Sequence, residues 1–350
     1  MTAITVPARL EDDANRRPVP WRRMDWVIWR HHRFALAGVA AFLGALALWL
    51  WIAGLQLHHA YAAALACNPT SPTCPDLVNS FNNMNHALLN GYVLQPVPAL
   101  IGAFVAPLVL ARELETGTFR YSWTQSFGQR RWTLAKLVVL AVVVAAAAGA
   151  FSLLVSWYYE PYFATANQSL SLSEASPFTV SLFDLRGVVF AAWTLTAFAI
   201  GALAGMLIRR VVPAIVATLV AYTGLAIVAG NFLREHYLAP LFTTNLNVPG
   251  SAFVLSQYWT KGGRFVFYSW RDAPSALIQA CASVPSGPTY KQSPLAGLYP
   301  CFVHHGYTQL TSYQPASRFW PFQWIEGGWL LALSVLLLAV TVWLVRRRAT

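Results

Sequence analysis

The sequence predicts an all-α polytopic membrane protein, with six transmembrane helices, both termini cytoplasmic, and a disulfide-containing extracellular domain between the fifth and sixth spans. Three observations carry this. Hydrophobic residues make up 57% of the 350 residues and charged residues only 11%, whereas soluble domains carry about 25% charged residues. Apolar runs of spanning length recur along the chain. The net charge of +11 falls on one side of the membrane once those runs are threaded through it. A chain this apolar is also excluded from the disordered class.

A spanning helix needs roughly 17 to 25 mostly apolar residues to cross about 30 Å of hydrocarbon. Phe34–Leu55, Leu137–Trp157, Gly187–Ile208 and Val211–Leu233 meet that length without one Asp, Glu, Lys or Arg. Leu94–Ala111 is shorter and holds Pro96, Pro98 and Pro107. It reads as a kinked helix, because any other conformation in lipid leaves backbone groups unsatisfied. The sixth run, Gly327–Val345, ends in Arg346, Arg347 and Arg348, a basic cytoplasmic flank. The first run is too long for the apolar core of a secretory signal, about 7 to 15 residues, and reads as an uncleaved anchor. Before it, residues 20–33 mix Arg22, Arg23, Arg30 and Arg33 with Trp21, Trp26 and Trp29, a segment suited to lie in the headgroup plane before turning into the first span.

With the N-terminus inside, the cytoplasmic pieces hold 17 of the 24 Lys and Arg residues and 6 of the 13 acidic ones. Seven of each remain outside, so the whole net charge is cytoplasmic. Nucleic-acid binding is then superfluous as an explanation of the basic balance. Cys67 and Cys74 fall in the first outer loop, Cys281 and Cys301 in the last. An oxidising exterior permits disulfides, and shared loops favour the pairs Cys67–Cys74 and Cys281–Cys301 over the other two pairings. Arg outnumbers Lys 21 to 3, a bias of GC-rich bacterial genomes.

The outer segment 234–326 is a small domain. It is rich in turn formers such as Gly262 and Gly263 and in aromatics such as Trp259 and Phe267. Arg264–Trp270 reads as a strand, and the Cys281–Cys301 bridge staples a core too small to hold itself. Gating, partner binding and capping of the outer mouth all stay open for it. The paired histidines His31/His32, His58/His59 and His304/His305 lack finger or zincin spacing and read as interfacial or solvated, with no metal site. The sequon at Asn167 carries no weight in a bacterial-looking chain.

The loop Arg112–Lys136 is the most informative stretch. Arg112, Glu113 and Glu115 open it, Gly117 turns it, and Phe119, Tyr121 and Trp123 lead to Arg130, Arg131 and Lys136. Glu113 and Glu115 are suited to begin a short helix, since carboxylates favour a helix N-terminus. A short loop so rich in aromatics lies on the bilayer interface or docks into another protein. The motif A-R-E-x-E-x-G-T, followed by W-T-Q-S and a basic R-x-W, resembles the first cytoplasmic loop of ABC-2 type transporter permeases, particularly an actinobacterial group. Residues 100–136 carry most of the match.

The resemblance implies a permease subunit of an ATP-driven exporter. It implies a coupling helix in this loop, fitting a cleft on a separate ATPase. Arg112, Glu113, Glu115, Gly117, Thr118, Phe119, Tyr121, Trp123, Arg130 and Arg131 then form the ATPase contact. ATP and Mg belong to two partner ATPase subunits, with no cofactor, catalytic residue or metal on this chain. A second permease chain completes the usual pair, as homodimer or heterodimer, in the bacterial plasma membrane.

The residues agree with this assignment. No G-x-x-x-x-G-K-[ST] stretch is present to cradle phosphates. None of the six runs holds an ionisable residue in its interior, which weakens a proton-driven carrier and an intramembrane hydrolase built on Ser152 or Ser156. An apolar path suits hydrophobic or amphipathic cargo such as a drug, antibiotic or lipid-like compound. Gly201, Ala202, Ala204, Gly205, Gly224 and Gly230 permit close helix packing, within the chain or across a dimer. The alternative is a membrane sensor or anchor whose outer domain recognises a ligand or partner without transport.

Overall fold

The computed structural model describes residues 21–68, 70–84, 92–116, 129–165, 176–245, 248–282 and 298–348. Helix α1 (Trp21–Ala66) is followed by α2 (Cys74–Met84), α3 (Val97–Thr116), α4 (Gln129–Tyr158), α5 (Glu160–Thr165) and α6 (Val180–Phe183). Then come α7 (Gly187–Ile208) and α8 (Val211–Val228), which a π turn (Ala229–Leu233) and a 3-10 turn (Arg234–His236) prolong. Strands β1 (Leu241–Thr243), β2 (Phe253–Lys261) and β3 (Arg264–Phe267) lead to α9 (Ser275–Ala282) and α10 (Leu298–His304). Strand β4 (Tyr307–Gln314) and the long helix α11 (Phe319–Arg348) close the chain.

Among the described residues five helical stretches are long and apolar enough to cross a membrane: Ala37–Ala66, Thr133–Tyr158, Gly187–Ile208, Val211–His236 and Ala316–Val345. A shorter apolar helical stretch, Tyr92–Pro107, accompanies them and coincides with the proline-containing run. Helix α1 is one helix of 46 residues from Trp21 to Ala66. The turn expected between the basic aromatic segment and the first span is not there, and no Pro or Gly lies between Trp21 and Ala37 to make one.

Helix α7 is the hub. It lies against α3, α4, α8 and α11, and its middle is buried on nearly every side. Backbones meet directly at α3: a Cβ on Gly102 would stand 2.4 Å from the Ala197 carbonyl carbon, and one on Gly201 would stand 2.9 Å from the Gly102 carbonyl oxygen. Gly201 and Gly205 therefore serve packing within the chain, whereas Gly224 faces open space. A two-residue turn joins α7 to α8, with Arg209 in the left-handed conformation at φ 58° and its N–H bonded to the Gly205 carbonyl. Ser152 donates to the Gly187 carbonyl (3.0 Å) and Ser156 to the Ser152 carbonyl (2.8 Å), so both serine hydroxyls are held by main-chain oxygens.

Residues 241–314 contain an antiparallel sheet of order β1-β4-β2-β3. Gly262 and Gly263, at φ 59° and 78°, make the two-residue turn between β2 and β3, where both central residues need positive φ. The expected strand at Arg264–Trp270 ends at Phe267, and Trp270 opens a 3-10 turn. Trp259, Phe267 and Phe302 pack around the Cys281–Cys301 disulfide. The second disulfide, Cys67–Cys74, ties the end of α1 to the start of α2.

Candidate functional site

Among the described residues, two places hold candidate functional groups, one at each end of the helix bundle. The first is the foot of the Arg112–Lys136 loop. Glu113 and Glu115 do not begin a helix; they lie in the last turn of α3, the end where a helix dipole disfavours a carboxylate. Glu115 is compensated by its neighbour. Its carboxylate accepts a hydrogen bond from the Val211 amide (3.2 Å) at the start of α8, where free N–H groups and the positive dipole end welcome it. Helix α4 starts at Gln129, so Arg130, Arg131 and Lys136 belong to a helix rather than to the loop, and Lys136 is buried. Gly117, Thr118, Phe119, Tyr121 and Trp123 lie outside the described residues, as does Asn167. Of Arg112, Glu113, Arg130 and Arg131 only the helical backbone is described.

The second place lies at the opposite end, where α7 begins, α8 ends and α11 enters. Arg234 and Glu326 are fully buried and Asp184 is nearly so. The Arg234 guanidinium donates from Nε to Glu326 Oε2 (3.0 Å) and from Nη2 to Glu326 Oε1 (2.8 Å). The same Nη2 also donates to Asp184 Oδ1. Glu326 further accepts from Trp193 Nε1 (3.1 Å) and the Tyr237 hydroxyl (3.3 Å), and Trp329 Nε1 donates to that hydroxyl (2.9 Å). Phe183 covers the guanidinium at 4.1 Å.

One turn before Glu326, Gln323 accepts from the Val189 amide (3.1 Å) and donates to the Phe183 carbonyl (3.1 Å), satisfying an orphan donor at the head of α7. Burial pushes the Asp184 carboxyl up to about 6, against the opposing pull of Arg234. Trp193 stands six residues into α7, so the cluster reaches about 9 Å inside the helix end at 1.5 Å per residue.

These residues correct the expectation of charge-free spans. Arg234 lies within the stretch Val211–His236 and Glu326 within Ala316–Val345. Each stands one residue beyond the boundary drawn at the first charge. The signal in the sequence was their placement: Asp184, Arg234 and Glu326 flank three apolar runs on the same side, with opposite signs.

Donor atoms of Cys281, Cys301 and His305 lie within 4.8 Å of one another, but both sulfurs are spent in the disulfide. His58 stacks on Trp157 at 4.7 Å and bonds its carbonyl at 3.0 Å.

The model of the family described as ABC-2 membrane transporter related matches residues 40–234, more than half of the chain. The chain belongs to that family. This ABC-2-related protein is thus a multi-pass membrane component of transport. The match runs from α1 through Arg234 and leaves the sheet and α11 outside it. No curated protein and no solved structure matches the chain.

Proposed function

We propose that this chain is the permease subunit of an ATP-driven exporter, crossing the membrane six times with both termini cytoplasmic, paired with a second permease and driven by two separate ATPase subunits. The observation that carries the reading is the bond between Glu115 and the Val211 amide. It fastens the foot of the loop to the α7–α8 turn, while Gly102 and Gly201 hold α3 to α7 by backbone contact. A push on the loop by an ATPase then moves α3, α7 and α8 together. Hydrophobic or amphipathic cargo passes by alternating access.

Arg234 and Glu326 are buried inside two of the spans, so charge-free spans lend the reading no support. Family membership and the loop support it in their place. Co-expression with the neighbouring ATPase tests it: the two co-elute, and Glu113→Ala with Glu115→Ala lowers cargo-stimulated ATP hydrolysis. Unchanged hydrolysis in a folded double variant refutes it.

The sensor reading is favoured by two hydrogen bonds. Gln314 Nε2, at the end of β4, donates to the Leu238 carbonyl (2.7 Å), and Arg318, just before α11, donates to the Ala239 carbonyl (2.6 Å), which fastens the end of the sheet and the start of α11 to the segment that follows α8. ATP-dependent cargo accumulation in everted vesicles separates the two, and its absence favours the sensor.

A further inference from the structure

Helices α4 and α11 both pack on α7. Between them, toward the end where α4 begins and α11 finishes, runs an apolar groove of about 470 Å³. Leu137, Val138 and Ala141 form one wall, and Leu338, Ala339 and Val342 the other. It extends from Leu134 to Val142 along α4 and from Val335 to Trp343 along α11, about 12 Å at 1.5 Å per residue. That is close to the ~15 Å depth of one leaflet's hydrocarbon, half of the whole. The groove therefore accommodates a chain from one leaflet.

Its ends differ. At the Val142 and Val335 end the lining is aliphatic. At the other end Arg130 and Arg131 precede Leu134 by one turn, and Arg346, Arg347 and Arg348 follow Trp343 by one turn. The Arg347 guanidinium lies 4.2 Å over the half-exposed Trp343 ring, the pairing of aromatic and cation found at the headgroup level. Five arginine positions thus stand at the polar end of an acyl-sized groove.

We infer that the groove holds one acyl chain of an anionic phospholipid, with Arg347 meeting its phosphate. Charge complementarity selects this occupant over a neutral lipid, and the depth of one leaflet selects a lipid over a spanning partner helix. Only insertion in a membrane is required, whether or not the chain transports.

The test uses the purified full-length chain, stripped of lipid and offered phosphatidylglycerol or phosphatidylcholine with the same acyl chains, with bound lipid counted by native mass spectrometry. Phosphatidylglycerol is retained at one per chain and in preference to phosphatidylcholine. Ala141→Trp and Ala339→Trp each reduce that retention at least tenfold. Arg347→Gln weakens it about fivefold, from about 1 kcal/mol per basic residue near an anionic surface, and leaves phosphatidylcholine unaffected. Arg347→Gln, at an exposed position and checked for the wild-type melting temperature, carries the test if the tryptophans disturb packing. Equal retention of both lipids by the wild type, or displacement of the lipid by inorganic phosphate, overturns the inference. So does a disulfide between two copies through Val138→Cys that forms in membranes and excludes the lipid, which would make a second copy the occupant.

Discussion

Replacing Arg234 by Met keeps the volume of the side chain and removes the cation between Asp184 and Glu326. Three charge-assisted hydrogen bonds disappear, two to Glu326 and one to Asp184. At about 1.5–3 kcal/mol each, their sum is an upper bound. Glu326 keeps its donors from Trp193 and Tyr237, and a proton on Asp184, whose carboxyl burial already raises, relieves the repulsion. The expected loss is therefore about 3–5 kcal/mol, the range for breaking a buried ion pair from one side. At about 2 °C per kcal/mol, the apparent Tm falls by roughly 6–10 °C, read by thermal size-exclusion in detergent. Adding Asp184→Asn and Glu326→Gln to the same chain removes the stranded charges and restores most of the loss, since a neutral replacement of a buried ionic cluster is close to neutral in stability. A single variant that melts with the wild type, or a triple variant no better than the single, refutes the account of the cluster.

Asp184 also gives the chain a pH dependence. Its folded carboxyl, raised to about 6 from an ordinary 3.8, binds a proton more tightly than the unfolded one, so this contribution to stability is present at low pH and lost as pH rises through 6. The apparent Tm therefore rises between about pH 7 and pH 5, and Asp184→Asn flattens that rise. Gly102→Leu forces a side chain into the Ala197 backbone and costs at least about 1–3 kcal/mol of stability, whereas Gly224→Ala, facing open space, is neutral or stabilises by up to about 1 kcal/mol; the melting temperatures of the two variants separate them. Cys281→Ser with Cys301→Ser opens a bridge of sequence separation 20 and costs about 3 kcal/mol, seen as earlier proteolysis within residues 241–314 while the helical bundle stays protected.

The apolar runs were legible because lipid leaves helix as the only open solution for a single segment, and both disulfides followed from which cysteines share a loop. The cluster at Asp184, Arg234 and Glu326 is not legible in the same way, because a span recognised by its lack of charge never contains one. Long helices overrun such limits, as α11 does by starting at Phe319 and α1 by ending at Ala66. The role of Glu115 is illegible for a different reason. Preference for a helix N-terminus is real, but the terminus it serves belongs to α8, 96 residues later, and no local pattern reveals a partner at that distance. Sheet order was likewise beyond reach, since β4 enters between β1 and β2 through pairings distant in sequence.

The Glu115 joint is asymmetric, because a side chain on one helix reads a main-chain amide on another. Every amino acid except proline supplies that amide at position 211, whereas position 115 must keep an acceptor of suitable reach. Evolution is therefore free at one partner and bound at the other. Covariation between the two positions is expected to be absent even though they touch, and homologous chains should show an acceptor at 115 beside wide variation at 211 with proline excluded.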